Sequence, residues 1–494
     1  MAQELRFALT DNNGQLTGTP KAQVDSIAQS KADAVKALIP DVSALATKTE
    51  ISTLATKAEI PVITNLATKS ELTAKADVTA VDSKIATAKS QILAQVGTGG
   101  GAATSTPRYV PLALTLGQIT SASQYYTNTD DAVRFPLQFN AAISKWRVHI
   151  QNVNPMYGTV KTGAINMTGI AFGAHDPANP GKYLGAPTKI QDAFTTPADG
   201  SEWVSPWFTQ NIGDNKQNLL EIAFTGAPAS GVIGLAGGAY TAGKTAFMNT
   251  TTAPWSVNTS PFFVWIEAET PSTTPVYTFF GDSLTVGIGS NLPVFHSVAS
   301  QYARRVGGLP IHYAASGDTM KSWIDGGETS LKISQWDSLT KGDVLVHSMA
   351  SNDIFSLSGT GDLQTVKDRF NTSLAMMKKR VKSGADVFAT TIFPRDKITG
   401  GQEDLRRAYN AWLATLDDAG TLKRVFEWVS VISNDDETIM SGLGSVGSTP
   451  DGIHLNQTAY GKLADYLSLP VSVTAAGAGI AITDNGNGTA TITL

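Results

Sequence analysis

The stretch Phe279-Phe280-Gly281-Asp282-Ser283-Leu284-Thr285-Val286-Gly287 passes from an apolar run through a glycine to a serine. Tyr277–Phe280 is short, aromatic and apolar, which suits a buried strand. Gly281 ends it, and an apolar helical pattern resumes near Pro293. A strand that breaks at a glycine and delivers a serine to the carboxyl edge of a sheet stands where open α/β folds keep their chemistry. A serine hydroxyl is a poor nucleophile until a base takes its proton, so the chain must also supply that base.

The base is sought among six histidines. His149 and His175 fall in a β-rich region, His296 in a helical pattern, and His312 and His347 in strand-like runs, where a hydrogen-bonded core histidine is the expectation. Only His454, in Asp451-Gly452-Ile453-His454, has a carboxylate at fitting spacing ahead of a helix that starts near Gln457. On one turn, Asp451 can accept from one imidazole nitrogen while the other faces the serine, which holds the tautomer able to take the hydroxyl proton.

Acyl transfer also needs donors for a developing oxyanion. Gly317, in Ala315-Ser316-Gly317-Asp318, offers a backbone N–H, and Asn352, in Ala350-Ser351-Asn352-Asp353, offers an amide. Each loop follows a strand-like run. A lone glycine or asparagine in a loop ordinarily serves turn geometry; the joint position past strand ends is what singles these out.

Around these residues, 276–469 alternates strand-like runs (277–280, 311–314, 344–348, 387–392, 425–429) with helical ones (294–306, 363–381, 405–416, 457–466). This implies a parallel sheet covered on both faces. Gly384-Ala385-Asp386 reads as a helix C-cap.

The blocks Gly281-Asp282-Ser283-Leu284, Gly317, Ser351-Asn352-Asp353 and Asp451-x-x-His454 resemble, in order and spacing, those of the SGNH (GDSL) hydrolases. The resemblance implies a three-layer α/β/α fold of flavodoxin-like type. It makes Ser283 the nucleophile, His454 the base and Asp451 its orienting carboxylate. Ser283 N–H, Gly317 N–H and Asn352 would form the oxyanion hole, and no cofactor or metal is implied. Ser351 departs from the family, which usually has glycine before Asn-Asp, and this bears on the local backbone. Asp282, Trp323, Phe355, Phe393 and Arg395 are candidates to line the site, each with a structural role as the alternative.

The remaining chain sets the context. A length of 494 residues is too great for one core, and about two to four domains are expected. A net charge of −5 leaves no basic footprint for nucleic acid, and the absence of cysteine excludes disulfides and thiolate chemistry. No apolar run is long enough to span a membrane, and the first residues show no secretory pattern. Between Phe7 and Tyr109 there is no aromatic residue. Leu-Ala-Thr-Lys recurs at 45–48, 54–57 and 66–69, and Val35, Leu38, Val42, Leu45 and Val78, Val81, Ile85, Ala88, Ile92 follow heptad spacing. Residues 1–106 therefore read as a virion-attachment segment and coiled-coil stalk, broken at Pro40 and Pro61, with a Gly-rich hinge at 97–106; a disordered linker is the alternative.

Residues 107–275, with short runs such as Val133–Leu137, Trp146–Ile150, Leu219–Phe224 and Phe262–Ile266, read as a β-sandwich or jelly roll able to bind carbohydrate through exposed aromatics. Residues 470–494 read as a hairpin turning at Asp484-Asn485-Gly486-Asn487-Gly488. The stalk and tail resemble segments of bacteriophage tail fibres and spikes. That resemblance implies a homotrimer on the virion, joined to other tail proteins through its N-terminus and acting at the host surface. The expected activity is a serine esterase removing O-acetyl groups from acetylated capsule or O-antigen polysaccharide. The alternatives are a receptor-binding fibre with a vestigial hydrolase domain, and a lipase or thioesterase of the same family.

Overall fold

The computed structural model describes residues 106–117, 125–126, 130–226, 232–242, 247–250, 256–395, 398–432, 452–468, 481–484 and 490–493. The described residues all fall within one compact unit, Ala102–Leu494. The stalk and its heptads lie outside the described residues, and so does Asp451.

Two antiparallel sheets precede the serine strand. One orders Pro107–Ala113, Phe263–Pro271, Lys145–Gln151 and Trp203–Val204. The other runs from Ser256–Pro261 through Val232–Ala242, Asp130–Leu137, Asn218–Thr225 and Asn166–Ala174 to Thr188–Gln191. Strand alternation turns Val110, Leu112, Val148, Ile150, Val264 and Ile266 of the first and Val133, Phe135, Leu137, Leu220, Ile222 and Phe224 of the second into one apolar core. A two-sheet sandwich results.

The serine strand, Val276–Gly281, is flanked in parallel by Leu309–Ala314 on one side and Gly342–Ser348 on the other. Val381–Thr390 and Arg424–Phe426 complete the sheet. In order of appearance this is 2-1-3-4-5, the doubly wound order whose switch point lies beside the first strand. Neighbouring residues of that strand serve opposite faces. Phe279 packs with Val346, Val298, Tyr460 and Leu463 in one core, and Phe280 with Leu345, Trp323 and Phe370 in the other. Helices Val298–Val306 and Gln457–Ser468 contact each other, as do Met320–Gly326 and Leu363–Lys378, and Leu363–Lys378 and Gly400–Asp418. The sheet is covered on both faces, as its near-continuous apolar strands require.

Several boundaries differ from the sequence expectation, three of them for a visible reason. The helix expected from Val294 begins at Val298, because Ser297 caps it by accepting from Ser300 N–H while Val294 sits at φ 64°. Gly384 is not a helix cap. It lies at φ 77° inside the strand Val381–Thr390, where the register against Gly342–Ser348 shifts, so its freedom serves a bulge. The strand expected to reach Val429 stops at Phe426, and Val429–Ile432 turns helical.

Sandwich and α/β layers are joined by a partly buried ion pair. Arg108 Nη1 donates to Asp343 Oδ2 (2.8 Å) and to the Thr274 carbonyl (3.1 Å), and Nη2 to the Lys341 carbonyl (2.7 Å). The same Asp343 oxygen accepts from Val276 N–H at 2.8 Å, which fixes the start of the serine strand. At the C-terminus, Ala481–Asp484 pairs antiparallel with Ala490–Thr493.

Candidate active site

Gly281 pairs with Ala314 on one side and Ser348 on the other, so Ser283, Gly317 and Asn352 leave three neighbouring strand ends a few residues past the pairing. No side chain fits at Gly281, where a Cβ would lie 1.7 Å from Thr285 Oγ1. The chain then turns at once into the short helix Ser283–Val286. Asp282 caps it by accepting from Leu284 N–H (3.0 Å), and Gly287, at φ 87°, ends it by returning its own N–H to the Ser283 and Leu284 carbonyls. Ser283 is thereby held at a helix start in an almost fully buried position.

His454 Nε2 lies 2.9 Å from Ser283 Oγ, although 171 residues separate them in sequence. The loop carrying His454 is tied to the serine loop twice. Tyr460, on the following helix, donates its hydroxyl proton to the Ile288 carbonyl (2.7 Å). Gly289, at φ 93°, lets the two backbones approach so closely that a Cβ there would stand 2.8 Å from His454 Cβ and 2.6 Å from the Leu455 carbonyl oxygen.

Asn352 is held at both ends of its amide. Its Nδ2 donates to the Asp318 carbonyl (2.8 Å), and its Oδ1 accepts from Arg395 Nη1 (3.2 Å), which also donates to Ser351 Oγ (3.1 Å). One amide hydrogen remains for a substrate oxygen. Gly317, exposed at φ 80°, heads the turn into the helix Met320–Gly326. Asp353, next to Asn352, secures that turn by accepting from Met320 N–H (2.8 Å), with Arg369 Nη1 at 3.0 Å as its cation. Burial raises the Asp353 carboxyl above its usual range despite these donors.

The unusual backbone falls one residue before the place the motif suggested. Ser351 is ordinary helix, while Ala350 carries φ 128° and ψ −11°. Two other expectations are corrected. Asp282 and Trp323, named as substrate contacts, are each only 1% exposed. Asp282 is spent on its helix cap, and burial, opposed by the Leu284 N–H and Arg395, pushes its carboxyl up to about 7. Trp323 packs edge-on against Phe280 behind the sheet. Phe393 is likewise buried. Phe355 and Arg395 are placed otherwise: Phe355 is 42% exposed, with the Arg395 guanidinium 4.1 Å over its ring.

His149, His312 and His347 have structural partners. His312 contacts Ser297 Oγ and His347 contacts Ser373 Oγ; burial depresses both to about 3. His149 lies between Glu202 and Glu267, which hold its pKa up against burial. Gly289, Tyr460 and Ala350 were not foreseen. Gly289 had a trace in the spacing Gly287-x-Gly289; Tyr460 and Ala350 had none. A cavity of about 600 Å³ lined by Lys341, Lys378, Lys382 and Lys423 lies at the amino ends of the strands, away from Ser283. Among the described residues no cluster of three or more His, Asp or Glu is placed to hold a metal ion.

A serine hydroxyl against an imidazole, with amide donors at the two adjoining strand ends of a 2-1-3-4-5 sheet, defines the serine-hydrolase class of site. Residues 277–467 match the family model described as GDSL-like Lipase/Acylhydrolase, and this segment is a GDSL/SGNH hydrolase domain. The chain is similar to a family two carbohydrate esterase from Clostridium thermocellum solved with cellohexaose: 15% identity over 72% of this chain and 96% of that one, TM-score 0.35. It is similar to a lipolytic G-D-S-L protein from Veillonella parvula at 15% identity over 39% and 96%, TM-score 0.31. A family 2 carbohydrate esterase with a carbohydrate-binding domain from Corynascus (Myceliophthora fergusii) gives 16% over 73% and 97%, TM-score 0.32. Likenesses this distant say nothing about what the present chain acts on. No curated protein matches it.

Proposed function

We propose that the chain is a serine esterase that removes O-acetyl groups from bacterial surface polysaccharide, carried on a trimeric phage tail fibre or spike. The observation that carries the chemistry is the 2.9 Å contact between His454 Nε2 and Ser283 Oγ. In this reading the imidazole takes the hydroxyl proton as Oγ bonds to the acetyl carbonyl carbon, and the carbonyl oxygen becomes an oxyanion. Ser283 N–H, Gly317 N–H and the remaining Asn352 amide hydrogen stabilise that charge. Collapse breaks the bond to the sugar oxygen, which leaves with the proton from His454. Water, activated by the same imidazole, then attacks the acetyl-serine and releases acetate. Asp451 has the role of orienting His454.

The glycan substrate and the virion setting rest on sequence: the Leu-Ala-Thr-Lys repeats and heptads of residues 1–106, the aromatic-rich sandwich and the glycine-rich tail. Acetate release from O-acetylated capsular and O-antigen polysaccharides, compared between the native protein and Ser283→Ala, tests the reading. Activity confined to the native protein is expected. Undiminished release by the variant removes Ser283 as nucleophile, and p-nitrophenyl acetate turnover without any glycan turnover removes the substrate.

A further inference from the structure

The sandwich sends one short hairpin, Val153–Asn154 paired with Thr159–Val160, toward the α/β layer. Its turn is internally fixed: Met156 N–H donates to Asn154 Oδ1 (3.1 Å), and Tyr157 N–H to the Asn154 carbonyl (3.2 Å). Asn152 anchors the base, its side-chain oxygen accepting from Ile233 N–H (3.0 Å) and its carbonyl from Lys161 N–H (2.8 Å). Against this hairpin lies Gly117, so close that a Cβ on it would be 2.9 Å from Met156 Cβ. The Gly117 carbonyl in turn accepts from Ser316 N–H at 3.0 Å, the residue before Gly317. The hairpin is thus braced through one glycine against the loop that carries the Gly317 amide.

Tyr157 sits at the hairpin tip, 54% exposed, which leaves its ring face open to a ligand. Its neighbour Met156 is the residue that packs on Gly117, so the bracing through Gly117 and Ser316 sets the tip beside the Gly317 loop. Partial burial, and then the Asp318 carboxylate, raise the Tyr157 phenol above the usual range. On the Asn352 side stands Phe355, the other exposed aromatic among the described residues, under Arg395. Two exposed rings with the half-buried Asn352 and Arg395 between them match a ligand that has apolar ring faces and hydroxyl edges.

The geometry points to Tyr157 as a specificity-determining residue contributed by the sandwich, a platform on which the pyranose ring of the ester substrate stacks beside the Ser283 site. The inference rests on the glycan reading of that site. It assigns the sandwich a direct part in substrate binding: the hydrolase domain supplies the chemistry and a residue more than a hundred positions upstream selects the acyl carrier.

The test uses the full chain with Tyr157→Ala and Tyr157→Phe, assayed on p-nitrophenyl acetate and on an O-acetylated bacterial polysaccharide that the native protein deacetylates. Tyr157→Ala should lose about tenfold in kcat/KM on the polysaccharide, mainly through KM, with p-nitrophenyl acetate turnover within about twofold of native. Tyr157→Phe should stay near native on both, because the ring face and not the hydroxyl makes the contact. Native-like polysaccharide turnover by Tyr157→Ala overturns the role of Tyr157 alone, and so does an equal loss on both substrates. A native protein that cleaves p-nitrophenyl acetate but no acetylated polysaccharide overturns the glycan reading and this inference together.

Discussion

Gly289 backs directly onto His454: a single added methyl would stand 2.8 Å from His454 Cβ, and the backbone there is already at φ 93°. The glycine therefore sets how deeply the imidazole reaches toward Ser283. Gly289→Ala should displace the His454 loop by a fraction of an ångström to about an ångström, and misplacement on that scale costs a catalytic step on the order of a hundredfold. Turnover of p-nitrophenyl acetate by Gly289→Ala should fall accordingly while the protein remains folded by circular dichroism. A native kcat would show that the loop yields freely and that Gly289 does not position the base.

Arg395 acts on the reaction through Asn352. Its Nη1 bridges Ser351 Oγ and Asn352 Oδ1, which fixes the amide with Nδ2 toward Asp318 and the oxyanion position. Removing an oxyanion donor costs about a hundred- to a thousandfold in kcat, so Asn352→Ala should fall in that range. Arg395→Ala leaves the donor present but less well held, and should lose about tenfold, in kcat rather than in KM for a small ester. The two losses should fall short of additive in the double variant, because both act through one amide. Full additivity would assign Arg395 a separate role, such as a direct substrate contact beside Phe355.

Much of this domain was legible in sequence because its signals are local. The aromatic run ending at Gly281 and the loops after two later strands each mark a strand end, which a parallel sheet gathers on one edge, and the histidine is marked by its place before a helix. What stayed hidden depends on contacts between distant segments. Trp323 and Asp282 read as candidates to line the site, with a structural role as the alternative, and it is the alternative that holds: Trp323 fills the core behind Phe280 and Asp282 turns inward to cap its own helix. Gly384 looked like a helix end because the strand that claims it is specified by pairing with Gly342–Ser348, which periodicity does not register. Tyr157 carries no sequence mark of its place beside the Gly317 loop, since that follows from how the hairpin is braced through Gly117 against Ser316.

Ala350 offers a stability test. At φ 128° an alanine is held where L side chains are disfavoured, at a cost of about 1–3 kcal/mol. Glycine would relieve that strain and lose about 0.5–1 kcal/mol to the greater freedom of the unfolded chain. Ala350→Gly should therefore leave stability unchanged or raise it by about 1 kcal/mol, read as a higher urea midpoint at constant m-value. Esterase turnover should stay within about twofold. A clear loss of stability would mean that the Ala350 methyl, which is buried, contributes more by packing than its backbone costs.

Asp282 gives the pH dependence of stability a definite sign. Burial raises its carboxyl from the usual 3.8 to about 7 in the folded protein. The folded state then holds the proton more tightly than the unfolded chain, so this contribution is complete below about pH 4 and is lost as pH rises through about 7. A shift of that size corresponds to a few kcal/mol at most. His312 and His347 work in the opposite direction. Their values fall from 6.5 to about 3, so the stability they contribute is present above about pH 6.5 and lost as pH drops toward 3. Asp282→Asn keeps an oxygen to accept from Leu284 N–H and cannot ionise. Relative to native, its gain in urea stability should be small at pH 5 and clearly larger at pH 8, while the acid-side loss governed by the two histidines remains. A difference between native and Asp282→Asn that is the same at pH 5 and pH 8 would mean that Asp282 keeps an ordinary carboxylate ionisation despite its burial.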